Sequence, residues 1–239
     1  NGLIDPEKVR ELLETHPKGT FDGIIAVDFA GCPARLEHLR TIADLYDLWL
    51  VEDACHAPGA YFVDSNSLER RCGGTPFADL AVFSFHPVKH IACGEGGMIL
   101  TDRENLYKQL QLLRTHGITK DPALLLDNHG GWYYEMHSLG FNYRLTDLQA
   151  ALGLAQLDRA GESLEKRRAL AAFYDSAFRD SPVTPLECDL PRGHAYHLYV
   201  VQAPSRDELY SFLKERKIYA QVHYIPIHTL PYYRGLQSS

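Results

Sequence analysis

The sequence predicts an α/β fold, with a mainly parallel sheet in a large N-terminal domain and a smaller C-terminal α/β unit. Three observations carry this. Gly23 to Phe29, Ala34 to Tyr46 and Leu48 to Val51 read as strand, helix and strand, the spacing of a parallel βαβ unit. Leu80 to Phe85 is another run fit for a buried strand, closed by a glycine-rich loop. After Pro182 the alternation begins again on a smaller scale. A chain of 239 residues suits one large domain or two small ones.

In the first helix Leu36, Leu39, Ile42, Ala43 and Tyr46 recur at helical spacing, and Pro33 sits near its start, where a missing N–H costs little. The second strand ends in Glu52-Asp53, which puts Asp53 at a carboxyl edge, where open α/β sheets gather ligands. Met98 to Thr101 returns as a short strand, and Arg103 to Arg114 is helical, with Leu106, Leu110 and Leu113 on one face. Residues 115–143 hold few clear elements. Thr146 is the expected N-cap of a long helical stretch running towards Phe178, with a bend near Gly161. His197 to Gln202 and Ile218 to Tyr224 read as strands around a helix over Asp207 to Lys217. The domain change is expected inside the long helix, dividing the chain into 1–158 and 159–239.

Bulk composition narrows the function. The net charge of −7 argues against a general grip on nucleic acid, which needs a basic stripe. No apolar run approaches the ~20 residues of a membrane helix. Cys32, Cys55, Cys72, Cys93 and Cys188 are odd in number and scattered, so free thiols in a reducing cytoplasm are expected rather than a disulfide framework or a zinc site.

Chemistry concentrates in Ser84-Phe85-His86-Pro87-Val88-Lys89 and the following Gly94-Glu95-Gly96-Gly97. A lysine on a loop just past a buried strand can be held partly desolvated, which favours the neutral amine that condenses with an aldehyde. An isolated lysine beside such a turn is ordinarily a solvated surface residue. Asp53 adds weight, because a carboxylate at a strand end suits a protonated pyridine nitrogen as well as it suits a turn. The two lie 36 positions apart, each after a predicted parallel strand, and so on one sheet edge.

VEDACHAPGA, SFHPVKHIACGEGGMILTD, RTHGI and LGFNYRLTDLQAALGLAQLD resemble the DegT/DnrJ/EryC1/StrS family of sugar aminotransferases, over essentially the whole chain. The resemblance implies the pyridoxal-phosphate-dependent transferase fold type I of aspartate aminotransferase, and a homodimer with shared sites. It implies that Lys89 carries the cofactor as a Schiff base and that Asp53 pairs with the pyridine nitrogen. It places His56 near the ring and Ser84 on the phosphate. Asn142 reaches into the partner's site near phosphate and substrate, with Arg144 supporting its loop. A dehydratase branch carries histidine in place of the lysine, and Lys89, although flanked by His86 and His90, argues against it.

GGWYYEMHSLGFNYRLTDLQAALGLAQLDR, YHLYVV and QVHYIPIHTLPYYR are similar to family members of pseudaminic-acid synthesis. This narrower resemblance implies transfer of an amino group, from L-glutamate, to C4 of a UDP-linked 4-keto-6-deoxy-N-acetylhexosamine. His223, Tyr224, Ile225 and Pro226 would lie near the sugar nucleotide; packing against neighbouring tyrosines is the plainer role for His223 and His228, and no metal is expected. Family members carry a Gly-Thr/Ser-x-Ala turn that holds the cofactor phosphate at a helix start. This chain begins after that point and stops before the family's last helix, so both domains are expected to be truncated. Other readings are a transaminase for another nucleotide keto-sugar, of the perosamine or desosamine type, and a non-catalytic module of the same fold.

Overall fold

A computed structural model describes residues 1–74, 76–188 and 193–236. A four-stranded sheet organises it, built from β1 (Gly23–Val27), β2 (Trp49–Asp53), β5 (Leu80–Ser84) and β6 (Gly97–Leu100) in the order β1-β2-β5-β6. β1 pairs with β2, and β2 with β5, in parallel, while β6 returns antiparallel to β5. The register sets Val27 against Asp53 and Asp53 against Val82, so three strands end on one edge. Between them, β3 (Tyr61–Val63) and β4 (Glu69–Arg71) form a hairpin.

One sheet face is covered. α1 (Pro6–Glu14) starts where Asp5 accepts the Glu7 N–H and Pro6 supplies a preset first turn. α2 (Leu36–Tyr46) buries Leu36, Leu39, Ile42 and Ala43 against Ile24, Ala26 and Leu50. Each such aliphatic side chain contributes roughly 1.5–3 kcal/mol on leaving water. Asp47 closes α2 in the left-handed conformation, and the Leu48 N–H bonds back to the Ala43 carbonyl. Asp79, just before β5, accepts from the Leu50 N–H at 2.7 Å and from Arg40 at 3.3 Å, and also pairs with Arg103. That knot fixes β5, and with it the loop that follows.

α3 (Glu104–Arg114) precedes a two-residue ladder of β7 (Ile118–Thr119) and β8 (Glu135–Met136). The expected long helix divides into α4 (Asp147–Leu157) and α5 (Ala160–Ala177), breaking at Asp158-Arg159, just before Gly161. Thr146 caps α4 through a reciprocal pair with Gln149. Among the described residues no helix is long and apolar enough to cross a membrane.

The C-terminal part departs from the sequence expectation. Only Val201–Gln202 of the expected 197–202 strand is paired (β10), with Thr184–Pro185 (β9). Upstream, the backbone bonds elsewhere: Ala195 N–H to the Gly31 carbonyl and Leu198 N–H to the Ala30 carbonyl. The helix is present as α6 (Arg206–Glu215). Residues 218–224 form no strand: Ile218, Tyr219 and Val222 are exposed, and no strand among the described residues pairs with them. α7 (Pro231–Leu236) ends the described chain.

The expectation of free thiols fails for two cysteines. Cys32 and Cys188 form a disulfide across 156 positions, with their Cα atoms 6.0 Å apart. Separation in sequence concealed the pair, since the return of residues 193–198 onto the loop after β1 brings them together. Cys55, Cys72 and Cys93 are free.

Candidate active site at the sheet edge

The site gathers where β1, β2 and β5 end. Asp53 closes β2, and its Oδ1 accepts the Cys55 N–H at 3.1 Å. Its own carbonyl accepts the Asp28 N–H at 3.0 Å, which joins the loop after β1 to the end of β2. Burial, with the Asp53 carboxylate next, pushes the Cys55 thiol up to about 12, so this cysteine is no thiolate nucleophile at neutral pH.

His56 sits in the turn after Asp53 and is buried. The Ala30 N–H donates to its Nδ1 at 3.3 Å, which leaves the proton on Nε2. Burial, then the nearby Lys89 ammonium, lower its pKa to about 4 against the pull of Asp53, so the ring is neutral at physiological pH. Gly31 is required here: its φ is +96°, and a Cβ would stand 2.8 Å from the His56 carbonyl oxygen.

Lys89 lies on the loop after β5, half-buried, with its N–H bonded to the His86 carbonyl at 2.9 Å. Its charge and that of Asp53 both act on His56 and on Cys55, in opposite directions. The loop is braced by bonds from the Phe85 N–H to the Gly96 carbonyl and from the Cys93 N–H to the Phe85 carbonyl. Gln149 of α4 donates to the Glu95 carbonyl at 2.9 Å. Ser84 ends β5 half-buried, and its Oγ accepts the His86 N–H at 3.4 Å.

The structure adds residues that sequence reasoning missed. His197 lies over His56, with ring centroids 4.3 Å apart, and His90 approaches His197 at 5.4 Å. Burial holds both neutral, lowering His90 to about 4 and His197 to about 3. Arg167 of α5 holds this stretch by donating to the Tyr196 and His197 carbonyls. Phe29 packs near His56 at 6.3 Å and meets the Tyr224 ring edge-on at 6.2 Å. No local motif marks His197; its 141-position separation from His56 hid the contact.

The Tyr224 ring meets Phe29 beside His56, and the His223 ring packs on Tyr224 with centroids 4.5 Å apart. Ile225 and Pro226 are exposed beside them. Asn142 is exposed in a bridge to Thr115 at the end of α3 and makes no contact with Asp53, His56 or Lys89 among the described residues. Arg144, two positions on, is also exposed.

The donor set suits an aldehyde-bearing pyridine phosphate. The amine would hold the aldehyde, the Asp53 carboxylate would meet a ring nitrogen, a neutral imidazole would offer a face and an N–H, and Ser84 would donate to phosphate.

The DegT/DnrJ/EryC1/StrS aminotransferase family profile matches residues 1–239. The chain belongs to that family. A spore coat polysaccharide biosynthesis protein of Bacillus subtilis, SpsC, is 36% identical over 240 residues, covering 97% of this chain and 59% of its own. Helicobacter pylori PseC, an aminotransferase of pseudoaminic acid biosynthesis, is 32% identical with a TM-score of 0.87, over 100% of this chain and 61% of its own. A Streptococcus pneumoniae protein described as a sugar aminotransferase, solved in its PLP-form, is 28% identical with a TM-score of 0.81, over 98% and 61%. The chain thus spans about three-fifths of the length of these relatives. The fold is that of PLP-dependent transferases of fold type I.

Proposed function

We propose that the full protein is a nucleotide-sugar aminotransferase that uses pyridoxal phosphate. The observation that carries this reading is that Asp53 ends β2 and Lys89 lies on the loop after the adjacent parallel strand β5, their opposite charges both felt by the buried His56. The bound cofactor would supply an electron sink for charge developing on a substrate carbon. Lys89 would hold the cofactor aldehyde, and its free amine would move a proton as general base and then general acid. Asp53 keeps the pyridine nitrogen protonated, and His56 with His197 walls the site with uncharged rings. Ser84 binds phosphate, and Asn142 does so from the second subunit.

The proposed acceptor is a UDP-linked 4-keto-6-deoxy-N-acetylhexosamine, aminated at C4 with L-glutamate as donor. Similarity to PseC supports the sugar class. His223 to Pro226 would face the sugar nucleotide. A homodimer is part of the proposal, supported by apolar exposure around Asn142: Leu139 is 85% exposed and Leu148 86%.

The test uses the full-length protein. Visible absorbance of bound cofactor, fixed on Lys89 by borohydride, is expected; labelling of another residue or no binding would sink the assignment. Product formation from UDP-linked but not GDP- or dTDP-linked keto-sugars identifies the acceptor.

A further inference from the structure

Beneath the site lies an acidic pair that none of the steps above uses. Asp28 follows β1 directly, Glu52 is the penultimate residue of β2, and both are fully buried. Asp28 Oδ1 accepts the Ala34 N–H at 2.8 Å, and Glu52 Oε1 accepts the Gly73 N–H at 2.9 Å. The other oxygen of each, Asp28 Oδ2 and Glu52 Oε2, is buried with no hydrogen-bond partner. One ligand atom each from Asp28, Glu52 and Cys72 falls within 4.8 Å of the other two. Two ionised carboxylates so close in a dry interior repel each other and leave two acceptors unsatisfied. A single proton between the two free oxygens removes both penalties.

We infer that Asp28 and Glu52 share one proton and together position Asp53 and His56. The loop after β1 is the link. Its Asp28 N–H holds the Asp53 carbonyl, its Ala30 N–H holds His56 Nδ1, and the Asp28 carboxyl braces it internally through Ala34. Glu52 adjoins Asp53 on β2 and anchors the turn after β4 through Gly73. The shared proton therefore ties the loop under His56 to the strand that carries Asp53. Among the described residues, the titratable groups facing Asp28 are Glu52 of β2, Cys72 after β4 and Cys55 after β2, and none of these is a cation. Burial first, then the Glu52 charge, raise the Asp28 pKa well above the carboxylate range, and burial raises that of Glu52. A metal ion fits less well, since three ligands fall one short of a closed structural site.

The positioning role rests on the proposed cofactor reading; the shared proton does not. The experiment follows thermal unfolding of the cofactor-free full-length protein against pH, for wild type, Asp28→Asn, Glu52→Gln and Asp28→Leu. The folded wild type keeps a proton that the unfolded chain releases, so its stability relative to Asp28→Asn falls as pH rises above the ordinary carboxylate range. Parallel curves, or stoichiometric zinc in the purified protein, overturn the shared proton. Cofactor affinity is then titrated by absorbance. Asp28→Leu weakens it at least about tenfold, and Asp28→Asn, which keeps a donor for Glu52, restores most of the loss. Equal affinity in the Leu and Asn variants overturns the positioning role. The two amide variants carry the test should Asp28→Leu fail to fold. A wild type with the expected pH slope but no cofactor binding supports the shared proton and sinks the cofactor reading, with the positioning role that depends on it.

Discussion

Residues 23–53 and residues 126–157 are both rich in apolar side chains and use them in opposite ways. In the first region Leu36 and Leu39 are 0% exposed and Ile42 is 2% exposed, pressed onto the covered face of the sheet. In the second, Leu126, Leu139 and Leu148 are almost fully exposed, and α4 has no buried residue. The sheet repeats the contrast: Ile24 and Leu50 are buried on one face, while Ile25 and Trp49 are exposed on the other. An apolar stripe becomes core only where a matching face lies opposite. Where none does, an apolar patch of this kind marks an interaction surface. The first region sets Asp53 and His56 rigidly; the second offers Asn142 outward.

The strongest way to break this contrast is at the chemistry it supports. Lys89→Ala is expected to lower kcat of the proposed transamination by the full-length protein roughly 10²–10⁴-fold, read by single-turnover assay, with Asn142→Ala falling less steeply. A larger loss at Asn142 would reverse the ranking of the two regions. Next comes packing. Leu39→Ala should cost about 2–5 kcal/mol in denaturant unfolding, whereas Leu148→Glu should leave the fold intact and shift sedimentation towards a lighter species. Similar unfolding midpoints for both would mean that α4 is core after all.

Titration gives a smaller effect. The folded pKa values of His56 and His197 lie near about 4 and about 3, below the free value of 6.5. Their depression contributes stability that is present above the free histidine value and is lost as pH falls through the folded values, because the unfolded chain takes up protons the folded one refuses. The melting temperature should therefore drop on acidification over that window, and His197→Phe should flatten the drop. The smallest effect sharpens the second region. Thr146→Ala removes the cap of α4 and should cost about 1 kcal/mol by chemical denaturation. That helix brings Gln149 to the Lys89 loop, so a weaker grip on cofactor is expected to accompany it.

Much of the sheet edge was legible from sequence because its signals are local. The runs ending at Asp53 and Ser84 have the length and apolar character of buried strands, and each is followed by a turn that places a chemical group. The Leu36 stripe shows its period within three turns of helix. The expected strand over 218–224 failed because a run of strand formers says nothing of a partner, and among the described residues it has none. The Cys32–Cys188 bond, the contact of His197 with His56 and the facing carboxyls of Asp28 and Glu52 have no local signature either.

What the sequence by itself determined is the place of two groups, the Asp53 carboxylate at the end of a predicted strand and the Lys89 amine on the loop past another, while the family resemblance implied the His56 imidazole and the Ser84 hydroxyl. Motif spacing encodes that much, since a residue's place at a strand end follows from its neighbours. What only the tertiary structure decided is protonation and partnership. His56 is neutral because burial and the Lys89 charge act on it together, and burial, then the facing Glu52 carboxylate, raise the pKa of Asp28. Those outcomes depend on distances between residues far apart in the chain, which packing sets and no local pattern records.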